Sequence, residues 1–395
     1  MLCGKERCPI IIKHEAHQRT QHLMDSTEIE GSSPPGVFVG RFGYPKVSVG
    51  PLVPPIHGDT EIYDLPEAWA NKTIDEIAEF RFSLVRGKHA VNVHDVESPD
   101  PIIQLTREFA LAKNVVESNV EFTSKPRVSI PLGDEVQPFG PSARLKELEA
   151  SSNIHFEKNI NRAYSDTDLK AAPAIVELHE RDVPVSRIQK AFSVGAFGLE
   201  KNRTFVPTRW SITAVDSSLG ENLMKETRQA DLLDRFLVFE HDKIDNRWII
   251  IMMPRPWSYE LIEAWYPGTI WNPEGKEIEM LGDSESFRGR TKYADIGGCY
   301  YAARLAANEY LTQTGKQAAV SILREAHPGY IMPVGVWLVR ESVREALRKQ
   351  PSEFGSLNEC LLRVSGKFEI PLQKWLRHSS VIREALYQRR LTEYA

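Results

Sequence analysis

Residues 236–253 read Phe-Leu-Val-Phe-Glu-His-Asp-Lys-Ile-Asp-Asn-Arg-Trp-Ile-Ile-Ile-Met-Met, and this stretch decides the fold class. Two apolar runs, Phe236–His241 and Arg247–Met253, flank the polar segment Asp242–Asn246, so they predict an antiparallel pair of strands. The apolar run Ile249–Met253 is far shorter than the roughly 18 residues that span a bilayer. The sequence therefore predicts a hairpin in a protein without a membrane span.

Helical and strand patterns alternate irregularly on both sides of this hairpin. Gly297–Thr314 has the strongest helical pattern, and we expect further helices over Ala143–Glu149 and Lys316–Ala326. Phe205–Val215 is rich in aromatic and β-branched residues, which predicts a strand. Because the regular strand–helix rhythm of a doubly wound sheet is missing, we expect a mixed α/β (α+β) fold.

The composition is that of a globular protein. Of the 395 residues, 42% are hydrophobic and 26% are charged, which excludes wholesale disorder. The net charge of −5 excludes a protein that coats nucleic acid through bulk positive charge. We expect three parts: an N-terminal element over 1–30, a central mixed α/β domain over 31–370, and a C-terminal helix with a tail over 371–395.

The N-terminal element contains a candidate half of a metal site. Cys3 and Cys8 are separated by four residues that include a glycine, and two thiolates at this spacing can bind one metal ion. A tetrahedral zinc site needs four ligands, so this ligand set is incomplete unless a histidine completes it; the candidates are His14, His17 and His22. The alternative is a pair of surface cysteines. Four cysteines in all and a charged N-terminus without a signal peptide predict a soluble, cytoplasmic protein.

The last eight residues, Gln388–Ala395, resemble the PIP motif through which proteins dock on the replication sliding clamp, PCNA. The motif needs Gln, an aliphatic residue and an aromatic residue at fixed spacing, and Gln388, Leu391 and Tyr394 fill these positions. One 3₁₀ turn places residues i and i+3 together, so Leu391 and Tyr394 would form one apolar plug. Ala395 stands where many such motifs have a second aromatic residue. The same spacing also fits an ordinary helix end that faces a core.

A central stretch combines cations, an aromatic residue and flexible glycines. Arg203, Arg209 and Trp210 are candidates to contact phosphate by charge and a base by stacking. A solvated loop that enters a buried strand explains the same composition. The stretch has neither the phosphate-loop spacing nor a GxGxxG spacing, so it predicts no specific nucleotide site. No catalytic residue is assigned.

Together these pieces resemble the archaeal Nre family of DNA repair proteins, of the NreA type. Besides the tail motif, the resemblance rests on three stretches, Leu2–Ile10, Val206–Asp216 and Pro333–Glu341. It implies a role in the response to DNA damage, binding to PCNA, and an N-terminal zinc element with four cysteines. Cys3 and Cys8 match the second cysteine pair of that element, and the first pair would lie before the first residue.

The sequence leaves three functions open. The first is a DNA repair factor that docks on PCNA, with DNA and other repair proteins as further partners. The second is an enzyme that acts on nucleotides or nucleic acids and holds phosphate in a cleft of the central domain. The third is an adaptor without catalysis. A deep basic pocket lined by Arg203 or Arg209 would favour the enzyme.

Overall fold

The computed structural model of the protein describes residues 15, 18, 26–127, 140–269 and 271–387. It is a mixed α/β fold, which confirms the expected fold class. Contacts divide the described chain into two compact units, an N-terminal unit up to residue 219 and a C-terminal unit from residue 220. Each unit contains its own six-stranded sheet. Among the described residues, no helix is long and apolar enough to cross a bilayer.

Within its described residues, the N-terminal unit contains six strands, five helices and the first part of a sixth helix. The strands are β1 (Glu28–Ser33), β2 (Val37–Val39), β3 (Lys46–Val53), β4 (Val85–Asn92), β5 (Val116–Phe122) and β6 (Ser142–Ala150). The helices are α1 (Ile74–Ser83), α2 (Pro101–Leu111), α3 (Lys158–Ser165), α4 (Ala171–Glu180), α5 (Val185–Ser193) and α6 (Thr208–Thr227). Short 3₁₀ helices cover Glu61–Asp64, Pro66–Ala68, Asp95–Glu97 and Glu200–Asn202.

The sheet of this unit has one buried face and one more exposed face. Its strand order is β1–β5–β6–β4–β3–β2, and all neighbours are antiparallel except β4 and β6. Along β5, side chains alternate between buried and half-buried positions, as expected when only one face packs on a core. Helix α2 packs against β3 and β6. Its start is fixed by Pro101 and by Asp100, whose side chain accepts from the Ile102 nitrogen at 2.8 Å.

Strand β6 replaces the helix that we expected over Ala143–Glu149. Ala, Leu, Lys and Glu are strong helix formers, but propensity is a weak prior that packing overrides. Ala143 and Leu145 face the core, and pairing with β4 and β5 forms the strand. A register shift between Glu121 and Phe122 hides the period-two pattern that would have indicated a strand.

The strand expected over Phe205–Val215 is also wrong, because α6 begins at Thr208. The carbonyl oxygen of Pro207 accepts from the Trp210 nitrogen at 2.8 Å and from the Ser211 nitrogen at 3.0 Å. These bonds start the helix directly after the proline. Tertiary packing outweighs the β propensity of this segment.

The C-terminal unit is built on a second mixed sheet. Its strands are β7 (Asp231–Leu232), β8 (Phe236–Lys243), β9 (Asn246–Met253), β10 (Ser258–Trp265), β11 (Glu279–Glu285), β12 (Lys316–Gln317), β13 (Ala319–Ala326) and β14 (Ser352–Phe354). The order is β11–β10–β13–β9–β8–β14, while β7 pairs with β12 separately. The predicted hairpin is confirmed as β8 and β9. Ile244 and Asp245 form its two-residue turn with φ of 48° and 51°, as a type I′ turn requires.

Helices cover both faces of this sheet. They are α7 (Gly298–Thr314), α8 (Trp337–Leu347), α9 (Leu357–Ser365), α10 (Leu372–His378) and α11 (Val381–Tyr387). Trp248, Ile250 and Met252 join the core that includes α7 and α8, and the intervening residues of β9 join the core that includes α9 to α11. Because both faces are buried, β9 is a continuous apolar run without polar alternation.

Strand β13 occupies the place of the helix that we expected over Lys316–Ala326. Gly315 ends α7 in the left-handed conformation with φ of 62°. All eight residues of β13 are buried between β9 and β10, so they show no alternation. Periodicity alone does not distinguish such a strand from a buried helix.

Candidate nucleic-acid interface and C-terminal anchor

The start of α6 presents two of the predicted nucleic-acid residues on the surface of the N-terminal unit. Arg209 is exposed, and Trp210 is 46% exposed. The preceding Thr208 accepts a hydrogen bond through Oγ1 from the Val39 nitrogen at 2.9 Å. This bond fixes the first turn of α6 to β2, so the position of Trp210 follows that of the sheet.

The loop between β2 and β3 places two more aromatic rings in solvent. Phe42 is 84% exposed and Tyr44 is 54% exposed. Gly43 allows the tight turn with φ of +86°, and its carbonyl oxygen accepts from the Lys46 nitrogen at 2.9 Å. The Tyr44 ring lies 5.2 Å from the Trp210 ring, centroid to centroid, with an angle of 54° between the planes. We call Phe42, Tyr44 and Trp210 the aromatic patch.

Cations accompany the aromatic patch. The Arg41 guanidinium carbon lies 5.2 Å from the centroid of the Phe42 ring. Arg41, Lys46 and Arg209 are exposed, and none of them forms an ion pair with a carboxylate in the described ranges. The surface beside the patch is therefore locally positive in a protein of net negative charge.

Further cations lie on the exposed face of the same sheet. Lys88 on β4 is in register with Arg144 on β6, so the two side chains share one face. Arg86 lies two residues from Lys88 on this face, with its guanidinium carbon 5.0 Å from the Phe38 ring centroid. We call Arg86, Lys88 and Arg144 the basic row. It reaches Phe38, which precedes the aromatic patch on the same hairpin.

The cations of the basic row influence each other. Burial, and then the charge of Arg81, lower the pKa of Arg86 to about 10. Burial, and then the charge of Arg86, lower the pKa of Lys88 below its usual value. Burial is the larger cause of both shifts, and the neighbouring positive charge adds to it. In the described part of the chain, neither Lys88 nor Arg144 has a carboxylate partner, so an anion that binds here would relieve the repulsion.

Arg203, the third predicted residue, is buried and bonded to backbone carbonyl oxygens rather than exposed beside the aromatic patch. It is 7% exposed, and its Nε donates to the Gly198 carbonyl oxygen at 2.9 Å. Its Nη2 donates to the Asp166 carbonyl oxygen at 2.9 Å, and the guanidinium lies over the Tyr164 ring at 5.3 Å. These contacts fasten the loop before α6. The contact of Arg203 with phosphate stays a prediction.

Sequence reasoning missed Arg41, Phe42 and Tyr44. The signal was present in the loop sequence Gly40-Arg-Phe-Gly-Tyr-Pro-Lys46, because two large aromatic residues are unusual in a short exposed turn. Their proximity to Trp210 could not be predicted, because this loop and the start of α6 are far apart in the sequence.

The other predicted sites lie outside the described residues. These are the metal-ligand candidates Cys3 and Cys8 and the clamp-binding residues Gln388, Leu391, Tyr394 and Ala395. Within the described ranges, no group of three or more His, Cys, Asp or Glu side chains could hold a metal ion.

The residues just before the tail are anchored to the core of the C-terminal unit. Glu260 on β10 is 1% exposed, and its Oε2 accepts from the Ser380 nitrogen at 2.8 Å and the Val381 nitrogen at 2.9 Å. Its Oε1 accepts from the hydroxyls of Ser321 and Ser379 at 2.6 and 2.5 Å. The carboxylate thus satisfies the free amides at the start of α11. The predicted helix over residues 371–386 is present as α10 and α11, separated at this point.

Comparison with known families gives one consistent result over nearly the whole chain. The family model described as "Archaeal Nre, N-terminal" matches residues 2–272, and that described as "Archaeal Nre, C-terminal" matches residues 285–394. The chain belongs to the archaeal Nre family.

Three relatives of this chain in the Nre family are named DNA repair proteins. The DNA repair protein NreB of Archaeoglobus fulgidus is 40% identical over all of this chain and 97% of its own length. DNA repair protein NreA of the same organism is 35% identical over 93% of this chain and 92% of its own length. NreA of Haloferax volcanii is 32% identical over 92% of this chain and 88% of its own length. No solved structure matches this Nre chain.

Proposed function

We propose that this Nre chain acts in DNA repair at a sliding clamp, PCNA, on which it docks through Gln388–Ala395. The observation that carries the proposal is the spacing of Gln388, Leu391 and Tyr394 in this tail. Burying a Leu and a Tyr side chain contributes about 2–3 kcal/mol each before ordering costs. Together the two side chains supply about 4–6 kcal/mol, which corresponds to a Kd between about 1 mM and tens of micromolar. We therefore expect weak docking, which suits a factor that shares the clamp with others.

The anchored end of the described chain supports the same proposal. Helix α11 is held by Glu260, and its buried residues Val381 and Ile382 lie in its first turn. Tyr387, its last residue, is 79% exposed. The tail therefore begins at a fixed position on the surface of the C-terminal unit. In this proposal the protein works in the cytoplasm, where DNA and PCNA are its partners.

The test compares binding of the full chain and of tail variants to purified PCNA by calorimetry. Deletion of Gln388–Ala395 should abolish binding and leave the melting temperature nearly unchanged. Leu391→Ala and Tyr394→Ala should each weaken binding, while Thr392→Ala, at a variable position of the motif, serves as the matched control. The proposal fails if the shortened chain still binds PCNA, or if it unfolds because Leu391 and Tyr394 were core residues.

A further inference from the structure

We propose that the aromatic patch is a binding site for single-stranded DNA. Unpaired bases stack on Phe42, Tyr44 and Trp210, and the phosphates contact the cations beside them. The class of ligand rests on the proposed function in DNA repair. The place rests on the geometry of the N-terminal unit alone.

The aromatic patch is built to remain exposed. Phe42 and Tyr44 lie two residues apart in one loop, and the Tyr44 ring contacts the Trp210 ring. The three residues are exposed by 84%, 54% and 46%, as expected of an interaction site. The backbone that carries the rings is held, because the Gly43 carbonyl oxygen accepts from the Lys46 nitrogen and the Val39–Thr208 bond fixes the start of α6. Every base presents a flat face, so preformed aromatic platforms bind single strands with little regard to sequence.

Charge complementarity points to a polyanion as the occupant. Arg41, Lys46 and Arg209 flank the aromatic patch, and none has a carboxylate partner in the part of the chain that the structure describes. A strand bound here releases counterions from its phosphates, which makes binding fall with salt. Because the whole chain has a net charge of −5, this attraction is local.

The basic row extends the proposed binding surface for the DNA strand beyond the aromatic patch. Lys88 and Arg144 face the same side of the sheet as Arg86 and the Phe38 ring. A backbone that leaves the patch along this face meets successive cations. Bases in a duplex already stack on each other, so their faces are not available to the patch. The site therefore favours single strands over duplexes.

The test measures fluorescence anisotropy of a labelled oligothymidylate of about 20 nucleotides, a length that covers one typical single-strand site. The full chain is used without PCNA, so a failure of tail docking leaves the result unaffected. Phe42→Ala and Trp210→Ala should each weaken binding at least about fivefold, the lower end for loss of one stacked base. Arg209→Gln should reduce the salt slope by about 0.7.

Matched controls lie on exposed positions elsewhere. Tyr293→Ala removes a ring that is 63% exposed in the C-terminal unit, and Lys158→Gln removes an exposed cation on α3. Both should bind the oligonucleotide like the wild type. A duplex of the same sequence should bind the wild type more weakly than the single strand.

Four results would overturn the proposal. The first is no binding by the wild type at low salt, and the second is unchanged binding in a folded Phe42→Ala/Trp210→Ala double variant. The third is tighter binding of oligouridylate, which would assign the surface to RNA. The fourth is loss of PCNA binding in the double variant while DNA binding remains, which would assign the patch to a protein partner.

Discussion

The buried carboxylate of Glu260 accepts a hydrogen bond from the backbone nitrogen of Val381 at 2.9 Å, so a buried residue of strand β10 holds the first turn of the last described helix. The neighbouring Ser380 nitrogen donates to the same oxygen at 2.8 Å. The free amides of a helix start need acceptors, and here a side chain from a remote strand provides them. This relationship links the integrity of the C-terminal unit to the position of the tail.

Replacement of Glu260 by Gln should lower the free energy of unfolding by about 1–3 kcal/mol. One acceptor oxygen becomes an amide donor, and at least one buried donor loses its partner. Urea unfolding of the purified chain measures the effect. Ser380→Ala is the control, because it removes only the weaker hydroxyl contact at 3.3 Å. Equal stability of Glu260→Gln and the control would contradict the anchor.

Replacement of Arg324 by Met should destabilise the C-terminal unit by about 3–5 kcal/mol, because it leaves a buried carboxylate unpaired. Arg324 is 2% exposed, and its Nη1 donates to Glu263 at 2.6 Å. Its guanidinium carbon lies 4.8 Å from the Trp248 ring centroid and 4.7 Å from that of Trp265.

A second variant separates the charge from the packing. Glu263→Gln added to Arg324→Met removes the unpaired charge and should recover part of the lost stability in urea unfolding. If the double variant is no more stable than Arg324→Met, the loss comes from the ring contacts of Arg324 and from its Nε bond to Oδ1 of Asn246 at 2.9 Å, rather than from the ion pair.

The stability of the C-terminal unit should fall as the pH rises above about 6.5, the unfolded pKa of His327. The carboxylate of Glu325 raises the pKa of His327 in the folded chain, which outweighs the effect of burial. Nε2 lies 3.3 Å from Oε2 of Glu325, an ion-pair distance without regular hydrogen-bond alignment. Glu369 and Asp245 raise this pKa further.

The sign follows from proton linkage. A histidine whose folded pKa is raised stabilises fully below its unfolded pKa, and this stabilisation is lost as the pH rises through the folded value. Urea unfolding should be measured below pH 6.5 and above the folded pKa of His327. The difference in the free energy of unfolding between the wild type and His327→Gln should become smaller toward high pH. If this difference does not change with pH, protonation of His327 does not contribute to the stability of the folded chain.

The two predicted arginines should behave differently when each is replaced by Ala. Arg203→Ala removes bonds to two backbone carbonyl oxygens and should cost about 1–3 kcal/mol of stability. Arg209→Ala should leave stability within about 0.5 kcal/mol, as for an exposed residue, and flatten the salt dependence of DNA binding. If Arg203→Ala flattens the salt dependence without a loss of stability, Arg203 contacts phosphate as the sequence predicted.

The N-terminal cysteines should not hold zinc as a complete four-cysteine site. Only Cys3 and Cys8 are clustered, and a structural site needs four ligands. Metal analysis of the purified full chain should find less than one tightly bound zinc ion per chain. One ion per chain that is lost in Cys3→Ser would contradict this expectation and would indicate that nearby histidines complete the site.

Local patterns predicted the fold where the interactions are local. The β8–β9 hairpin and helix α7 could be predicted because their signals are local. A polar turn lies between the two strands, and α7 has a helical repeat of apolar residues that ends at a glycine cap. Strands β6 and β13 were not, since their partner strands are remote in the sequence and β13 is buried on both faces. Arg209 and Trp210 were identified by residue type, but their pairing with Tyr44 is a product of the tertiary fold.

The anchor at Glu260 also sets a length scale for the proposed docking. Tyr387 is fixed on the C-terminal unit, and the seven residues from there to Tyr394 reach at most about 25 Å at full extension. A partner tethered within that radius is present at an effective concentration in the millimolar range. A docked clamp would therefore keep this unit within that radius. Even weak contacts between the protein and the encircled DNA would then form many times before the tail dissociates from the clamp.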